Sequence, residues 1–428
     1  MEWSTVNDQT IKVDFICVPL SGHLNPQVEL ALYLQKHTQF RIRFITGESQ
    51  HPFLNQLGFE TVSFLQDEPD AIERAAEFEQ QSNNSVFEML KLFDKSINLI
   101  KRTYPYILNA LKEHQTDIVV VDFITLSGGI AATHLNIPWI TTHPSLFVVE
   151  ALKGTPSYLG GWKPLDTPLG KVRDWLGWRF VRFIKKSVGL LSRKSLKELD
   201  FNLYVDGQEN IYSPYSILGL GMKELEFNED FPASFRFAGP CCLATQNDIQ
   251  LDFPKTFKRK VLITFGTLLK WVQPQMIDLM LALAQEYPDT LFVFTLGNAA
   301  DRFKQAQQKA PNFWIYPFVP YDSHLSTFDY VIHQAGAGIF YQCIRHNIPS
   351  LLLPQDNDQF DYAARGELAR MGIWGKVHNI DQLKTSFQKL LDQKDWSKLN
   401  QLNKAYKQYN PGKVLEAEIH RLMRIESE

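Results

Sequence analysis

VDFICVPL, residues 13–20, is an apolar run that stops at Ser21-Gly22-His23-Leu24-Asn25-Pro26. A short, strongly apolar segment closed by turn-forming residues reads as a buried strand. The apolar spacing over residues 26–35 reads as the helix that follows, with Asn25 suited to its N-cap and Pro26 to its first position. FRIRFITG (40–47), FETVSF (59–64), TDIVVVDF (116–123) and PWITTH (138–143) continue the strands, and residues 86–114 carry a long helical pattern between two of them. Near-continuous apolar strands alternating with helices predict a parallel sheet covered on both faces, an α/β fold.

The series restarts at KVLITFGT (260–267), with a helical pattern over 275–286, then LFVFTLG (291–297), FWIYPF (313–318), DYVIHQ (329–334) and SLLLP (350–354). That is a second parallel sheet. Residues 237–259 mix Pro, Gly and polar side chains without periodicity, as a linker does. The expected division is a first domain over 1–238, a linker over 239–259 and a second domain over 260–405. A chain of 428 residues is long enough for two such cores, and 44% hydrophobic with 21% charged residues is an ordinary globular composition. A net charge of -3 argues against general nucleic-acid binding, which needs a broad positive field. The four cysteines, Cys17, Cys241, Cys242 and Cys343, lack metal or redox spacing and read as structural thiols of a reducing compartment. Nothing near Met1 reads as a secretory signal and no apolar run reaches membrane-spanning length, so a cytoplasmic location is expected.

Three stretches carry chemistry. His23 follows the first strand at the edge where open α/β sheets bind ligands, beside a helix N-terminus whose dipole favours the neutral ring. It reads as a general base or as a loop histidine without a chemical role. Asp122 closes the buried run Ile118-Val119-Val120-Val121, where a lone carboxylate needs a partner. It either orients His23, as carboxylates orient bases in catalytic dyads, or caps the next helix. In the second half, His333-Gln334-Ala335-Gly336-Ala337-Gly338 lies between a strand and a helix, and Thr264-Phe265-Gly266-Thr267 ends the strand at 260–267. Small residues before a helix N-terminus can cradle a diphosphate, or can form a plain turn. Pro354-Gln355-Asp356-Asn357-Asp358-Gln359 sets carboxylates beside amides, able to bond vicinal sugar hydroxyls or to form a polar turn.

Taken together, these residues resemble the family 1 nucleotide-sugar glycosyltransferases over nearly the whole chain, with bacterial zeaxanthin, macrolide and sterol-type glucosyltransferases as the nearest-looking branches. Gly22-His23-Leu24-Asn25-Pro26 is similar to their first-loop motif, VVVDF (119–123) to their aspartate-bearing strand, and residues 331–365 to their donor signature. The resemblance implies a GT-B fold, two Rossmann-like parallel-sheet domains facing across a cleft, with a last helix (406–428) crossing back to the first domain. It implies inverting transfer of a hexose, glucose from a UDP-sugar co-substrate, to a hydroxyl of a lipophilic small molecule, without cofactor or metal. His23 and Asp122 would be catalytic. Thr264, Gly266, Thr267, Phe318, Val319, Gln334, Gly336, Gly338, Ile339, Asp358 and Gln359 would bind the donor, and Phe87, Trp175 and Trp178 the acceptor. Two positions depart from the pattern: Gln334 stands where the family usually has a phosphate-contacting histidine, and Ile339 where it has Ser or Thr. Those departures keep open a degenerate GT-B protein that binds a lipophilic ligand without transfer. A nucleotide-sugar epimerase of the same architecture is a further alternative.

Residues 171–197 hold nine Lys or Arg and one acid, Asp174, interleaved with Trp175, Trp178, Phe180, Phe183 and Ile184. Such a segment either lies on an anionic membrane surface or turns its aromatics into the acceptor pocket or core while its charges stay solvated.

Overall fold

Two seven-stranded sheets carry the molecule. The computed structural model describes residues 10–68, 70–74, 86–151, 153–228, 230–244, 251–254, 256–266, 271–297, 304–356, 358–377 and 379–425, without the side chains of 86–96, 146 and 425. The first half supplies β1 (Lys12–Ile16), β2 (Arg41–Thr46), β3 (Glu60–Ser63), β4 (Ile118–Asp122) and β5 (Trp139–His143). A small ribbon, β6 (Tyr204–Val205) and β7 (Gln208–Glu209), precedes β8 (Ile217–Gly219) and β9 (Phe235–Phe237). The sheet order is β3-β2-β1-β4-β5-β8-β9, all parallel. The second half supplies β10 (Arg259–Thr264), β11 (Thr290–Thr295), β12 (Gln307–Ala310), β13 (Phe313–Tyr316), β14 (Tyr330–His333), β15 (Ser350–Leu352) and β16 (Gly372–Trp374). Its order is β12-β13-β11-β10-β14-β15-β16, parallel except for the antiparallel edge strand β12.

Each sheet starts at its centre, winds outward, then returns to the other side of its first strand. The order reverses between β1 and β4 and between β10 and β14, and a crevice opens at the carboxyl ends on either side of such a reversal. Register fixes what stands there. Ile16 pairs with Val121, so Asp122 projects one residue beyond the last β1 partner. Thr264 pairs with His333, so Gly266 and Gln334 leave the second sheet side by side.

The helices that frame the site are α1 (Ser21–His37), α2 (Val86–His114), α3 (Leu126–His134), α4 (Pro168–Leu191), α5 (Ala337–His346), α6 (Gln359–Leu368) and α7 (Pro411–Ile425). The sequence reading put the start of α1 at Pro26 with Asn25 as cap. The helix instead begins at Ser21, and Leu20 accepts the first N–H groups, from His23 at 2.9 Å and Leu24 at 2.8 Å. Pro26 forfeits one bond, to Gly22, and the buried stripe Leu24, Val28, Ala31 and Leu34 holds the helix regardless. The last helix expected over 406–428 is α7, which starts at Pro411, a residue suited to the first helical position, after a separate helix over Ser397–Tyr406. Leu415, Ile419 and Leu422 of α7 pack into the first core with Val28 and Leu34. Cys241 belongs to that core and its neighbour Cys242 to a cluster drawn from both halves, with Phe147 and Met222 as well as Leu262 and Phe340.

One buried charge cluster locks the first sheet to its helix. Arg43 on β2 donates to both oxygens of Asp14 on β1, at 3.0 and 2.7 Å, and to the main-chain oxygen of Ala110 on α2 at 2.9 Å. Thr116 donates to Asp14 at 2.5 Å and His114 lies 3.1 Å from it, so every lone pair of the carboxylate faces a partner.

Candidate active site

His23 stands in the first turn of α1 with its Nδ1 3.1 Å from Asp122 Oδ1 and 3.1 Å from Oδ2. A carboxylate can only accept, so Nδ1 carries the hydrogen and Nε2 becomes the basic nitrogen. Asp122 is fully buried. The N-cap of α3 is Thr125, which makes no side-chain capping bond; its N–H donates to the main-chain oxygen of Asp122 at 2.8 Å. The carboxylate itself is given to His23. Burial opposes charge on the ring, but the charge and hydrogen bond of Asp122, joined by the charge of Asp358, outweigh it and hold the imidazole pKa above its ordinary value. The helix dipole was expected to keep the ring neutral; two carboxylates reverse the sign.

In the second domain, Gly266 has φ +72° and Ala335 φ +65°, tight turns at the carboxyl ends of β10 and β14. The amide of Gln334 lies between two glycines. A Cβ on Gly266 would sit 2.6 Å from its Nε2 and one on Gly336 3.0 Å from it, so a side chain at either position would push the amide out. Gln334 Oε1 is buried without a hydrogen-bond partner among the described residues. Gly336 is the N-cap of α5, and the N–H groups of Ala337, Gly338 and Ile339 precede the first intrahelical bond, from Phe340 to Gly336 at 3.0 Å. Open space faces Gly338. Gln334, Gly336 and Gly338 thus form an anion-receptive cradle. Ile339 buries its side chain in the core, and Val319 does likewise beside the half-buried Phe318. The hydroxyl of Thr264 is buried 3.0 Å from Tyr321 Oη and takes the Gly266 N–H at 3.3 Å, so Thr264 shapes the turn from beneath. Thr267 lies outside the described residues.

Asp358 and Gln359 open α6 at the border between the domains. Ser145, just past β5, donates to Asp358 Oδ2 at 2.5 Å. Gln359 Oε1 accepts from the N–H groups of Gln355 at 2.9 Å and Asp356 at 3.3 Å, leaving its NH2 as the outward donor. Burial lifts the Asp358 carboxyl above its usual range although Ser145 and His23 pull it down. Further bonds cross the border: Tyr158 N–H to Asp361 at 2.9 Å, Tyr362 Oη to Pro144 O at 3.0 Å, and Arg365 to Glu226 at 2.7 Å. The Arg365 guanidinium also lies over Phe147 and Phe227, at 4.1 and 4.2 Å. The carboxyl edges of both sheets therefore face each other, with His23 and Asp358 on opposite sides.

No family model matches the chain. It is 23% identical over 421 residues to the NDP-glycosyltransferase YjiC of Bacillus subtilis (strain 168), covering 96% of this chain and 97% of the relative. It is 25% identical over 366 residues to UDP-glucosyltransferase B1 of Starmerella bombicola, covering 78% of this chain and 79% of the relative. The crystal structure of the glycotransferase of kitacinnamycin superposes with a TM-score of 0.69 at 17% identity, over 96% of this chain and 99% of the other. The chain has the GT-B fold of these glycosyltransferases and is similar to them in sequence across both halves. Matches that span both halves in order, on a fold with two facing switch points, decide this where no single motif could.

As a GT-B protein, the chain keeps its first-domain pair in contact, while its second-domain signature differs at Gln334 and Ile339. The expected acceptor residues part company. Trp178 is half-buried and donates to Gly154 O at 3.0 Å, whereas Trp175 lies on the outer face of α4 beneath Arg179, 4.1 Å away. Phe87 falls on α2 with its side chain outside the described residues. Sequence reasoning overlooked His143, at the carboxyl end of β5, stacked on Phe123 at 3.9 Å, with Phe123 in turn 5.6 Å from His23. Burial drives the fully buried His143 well below its ordinary pKa. The signal that singled out Asp122, a polar residue closing a buried strand, applies equally to His143. Ser145 had no such signal, because its partner lies in the other domain.

Proposed function

We propose that the chain is an inverting glycosyltransferase that moves a hexose, glucose from UDP-glucose, onto a hydroxyl of a lipophilic small molecule. The observation that carries this is the contact of His23 with both oxygens of Asp122 at the crevice edge. Nε2 of His23 takes the acceptor proton as its oxygen attacks the anomeric carbon from the face opposite the leaving diphosphate, which gives inversion. Asp122 stabilises the imidazolium that forms. The N-terminus of α5, with the Gln334 amide, receives the charge developing on the diphosphate, so no metal or other cofactor is invoked. Asp358 and the Gln359 amide bind sugar hydroxyls once Ser145 yields its place. The name of the Starmerella relative supports UDP as donor, and the Phe123 ring 5.6 Å from the His23 ring supports an apolar acceptor.

The deciding experiment is His23→Ala with calorimetry of UDP and a mass-shift assay against pooled lipophilic acceptors and several nucleotide sugars. Transfer should fall by about 10²–10⁴ with UDP binding intact. Unchanged transfer would remove His23 as base, and no donor binding by the native protein at millimolar concentration would sink the enzyme reading. The altered Gln334 and Ile339 favour one second reading, a ligand-binding GT-B protein without transfer, and the same calorimetry separates the two.

A further inference from the structure

Helix α4 presents an apolar stripe to solvent. Leu169 is 83% exposed, and Val172, Leu176, Phe180, Phe183, Leu190 and Leu191 are all more than half exposed. At 3.6 residues per turn these seven fall within about 100° of one another, a single stripe along a helix of roughly 36 Å. The opposite face is fastened down: Gly170, Gly177 and Val188 are buried, and Trp178 bonds Gly154. The stripe is therefore neither core nor pocket lining, whereas Trp178 on another face is half-buried against the protein. Among the described residues no helix is long and apolar enough to cross a membrane; an amphipathic helix with an apolar stripe and flanking cations is suited to lie in the plane of a membrane surface.

We propose that α4 docks the protein on the surface of an anionic lipid bilayer, with the stripe in the acyl boundary and the flanking cations among the headgroups. Charge selects this occupant. Lys171, Arg179, Lys186, Arg193, Lys194 and Lys197 are exposed along one flank of the stripe and the short helix after it. The one acid of the segment, Asp174, is already held by Arg173 at 2.6 Å and Thr155 at 3.1 Å. The chain as a whole carries -3, so this concentration of cations is local. A second copy seated on the stripe would oppose cation to cation, whereas anionic headgroups complement the rim and acyl chains the stripe. The location gives the contact a use. Gly177 packs on Pro156 and Trp162, and the same loop sends the Tyr158 N–H across the cleft to Asp361. A bilayer touching α4 thus lies one loop away from the crevice. The docking stands whether or not His23 transfers sugar.

The test is co-sedimentation of the full chain with phosphatidylcholine vesicles, with and without phosphatidylglycerol, at low and high salt. Binding to the anionic vesicles that weakens with salt is expected. Phe180→Glu with Phe183→Glu should abolish it. Arg179→Ala with Lys186→Ala should weaken it roughly thirtyfold, since each cation near an anionic surface contributes about fivefold in affinity. The alanine pair also guards against misfolding of the glutamate pair, which circular dichroism would reveal. Absence of vesicle binding overturns the proposal. So do equal binding by the alanine pair, a dimer that the Phe180→Glu and Phe183→Glu pair dissociates, and an acidic protein that competes for α4 while vesicles do not.

Discussion

Ser145 of the first domain donates to Asp358 of the second at 2.5 Å, so the residue expected to bind the donor sugar is held by the opposite half of the molecule. A hydrogen bond to a buried carboxylate contributes about 1.5–3 kcal/mol. Ser145→Ala should therefore favour domain opening, seen as a larger radius of gyration by small-angle X-ray scattering without donor. An unchanged scattering profile would mean that the remaining border contacts, led by Arg365 and Glu226, hold the halves together unaided.

The pH dependence follows from the two acids around His23. In the proposed reaction its neutral form is the base, and its pKa is raised above 6.5, so transfer should be lost as pH falls through a value above 6.5. Asp122→Asn removes the largest raising influence. The acid limb of kcat should then move to lower pH while kcat itself drops by about 10²–10⁴. A limb that stays in place would show that another group titrates.

Stability should run the other way at the same residue. A histidine whose folded pKa is raised contributes stability that is complete below its unfolded pKa and vanishes as pH rises through the folded value. Urea midpoints of native protein and His23→Ala, compared between mildly acidic and mildly alkaline pH, should differ more on the acidic side.

Asp14 and Arg43 make the heaviest structural prediction. Arg43→Met strands a buried carboxylate and should cost about 3–5 kcal/mol in urea unfolding, whereas replacing both residues by apolar ones of similar volume should cost far less. Burial raises the Asp14 pKa, but His114, Arg43 and Thr116 together hold it below its usual value. Its contribution is present above the unfolded pKa and fades as pH falls toward the folded one.

At the proposed diphosphate cradle, Gln334→His should tighten UDP binding by about two- to tenfold, one added hydrogen bond that can carry charge. Gly266→Ala should weaken it, because φ is +72° there and the new Cβ would meet the Gln334 amide at 2.6 Å. Isothermal titration reads both. Weaker binding by the histidine variant would dissociate Gln334 from the phosphate site.

Much of this was legible along the chain. Ten strands announce themselves as apolar runs because both faces of a parallel sheet are covered. The three-residue strands β8, β9 and β16 and the polar edge strand β12, QQKA, escape because too few residues, or too few apolar ones, form a pattern. The start of α1 was misplaced because local capping preference yields to the apolar stripe that buries the helix.

The sequence by itself determined the alternation of strands and helices, the family resemblance and the position of His23, Asp122 and the glycine-rich turn at strand ends, since periodicity and turn chemistry are local. Tertiary structure alone decided that His23 and Asp122 touch, that carboxylates override the helix dipole, that Ser145 meets Asp358, and that the apolar stripe of α4 faces outward. These depend on which strands become neighbours and which helix face finds a partner. That is settled by packing between residues far apart in the chain.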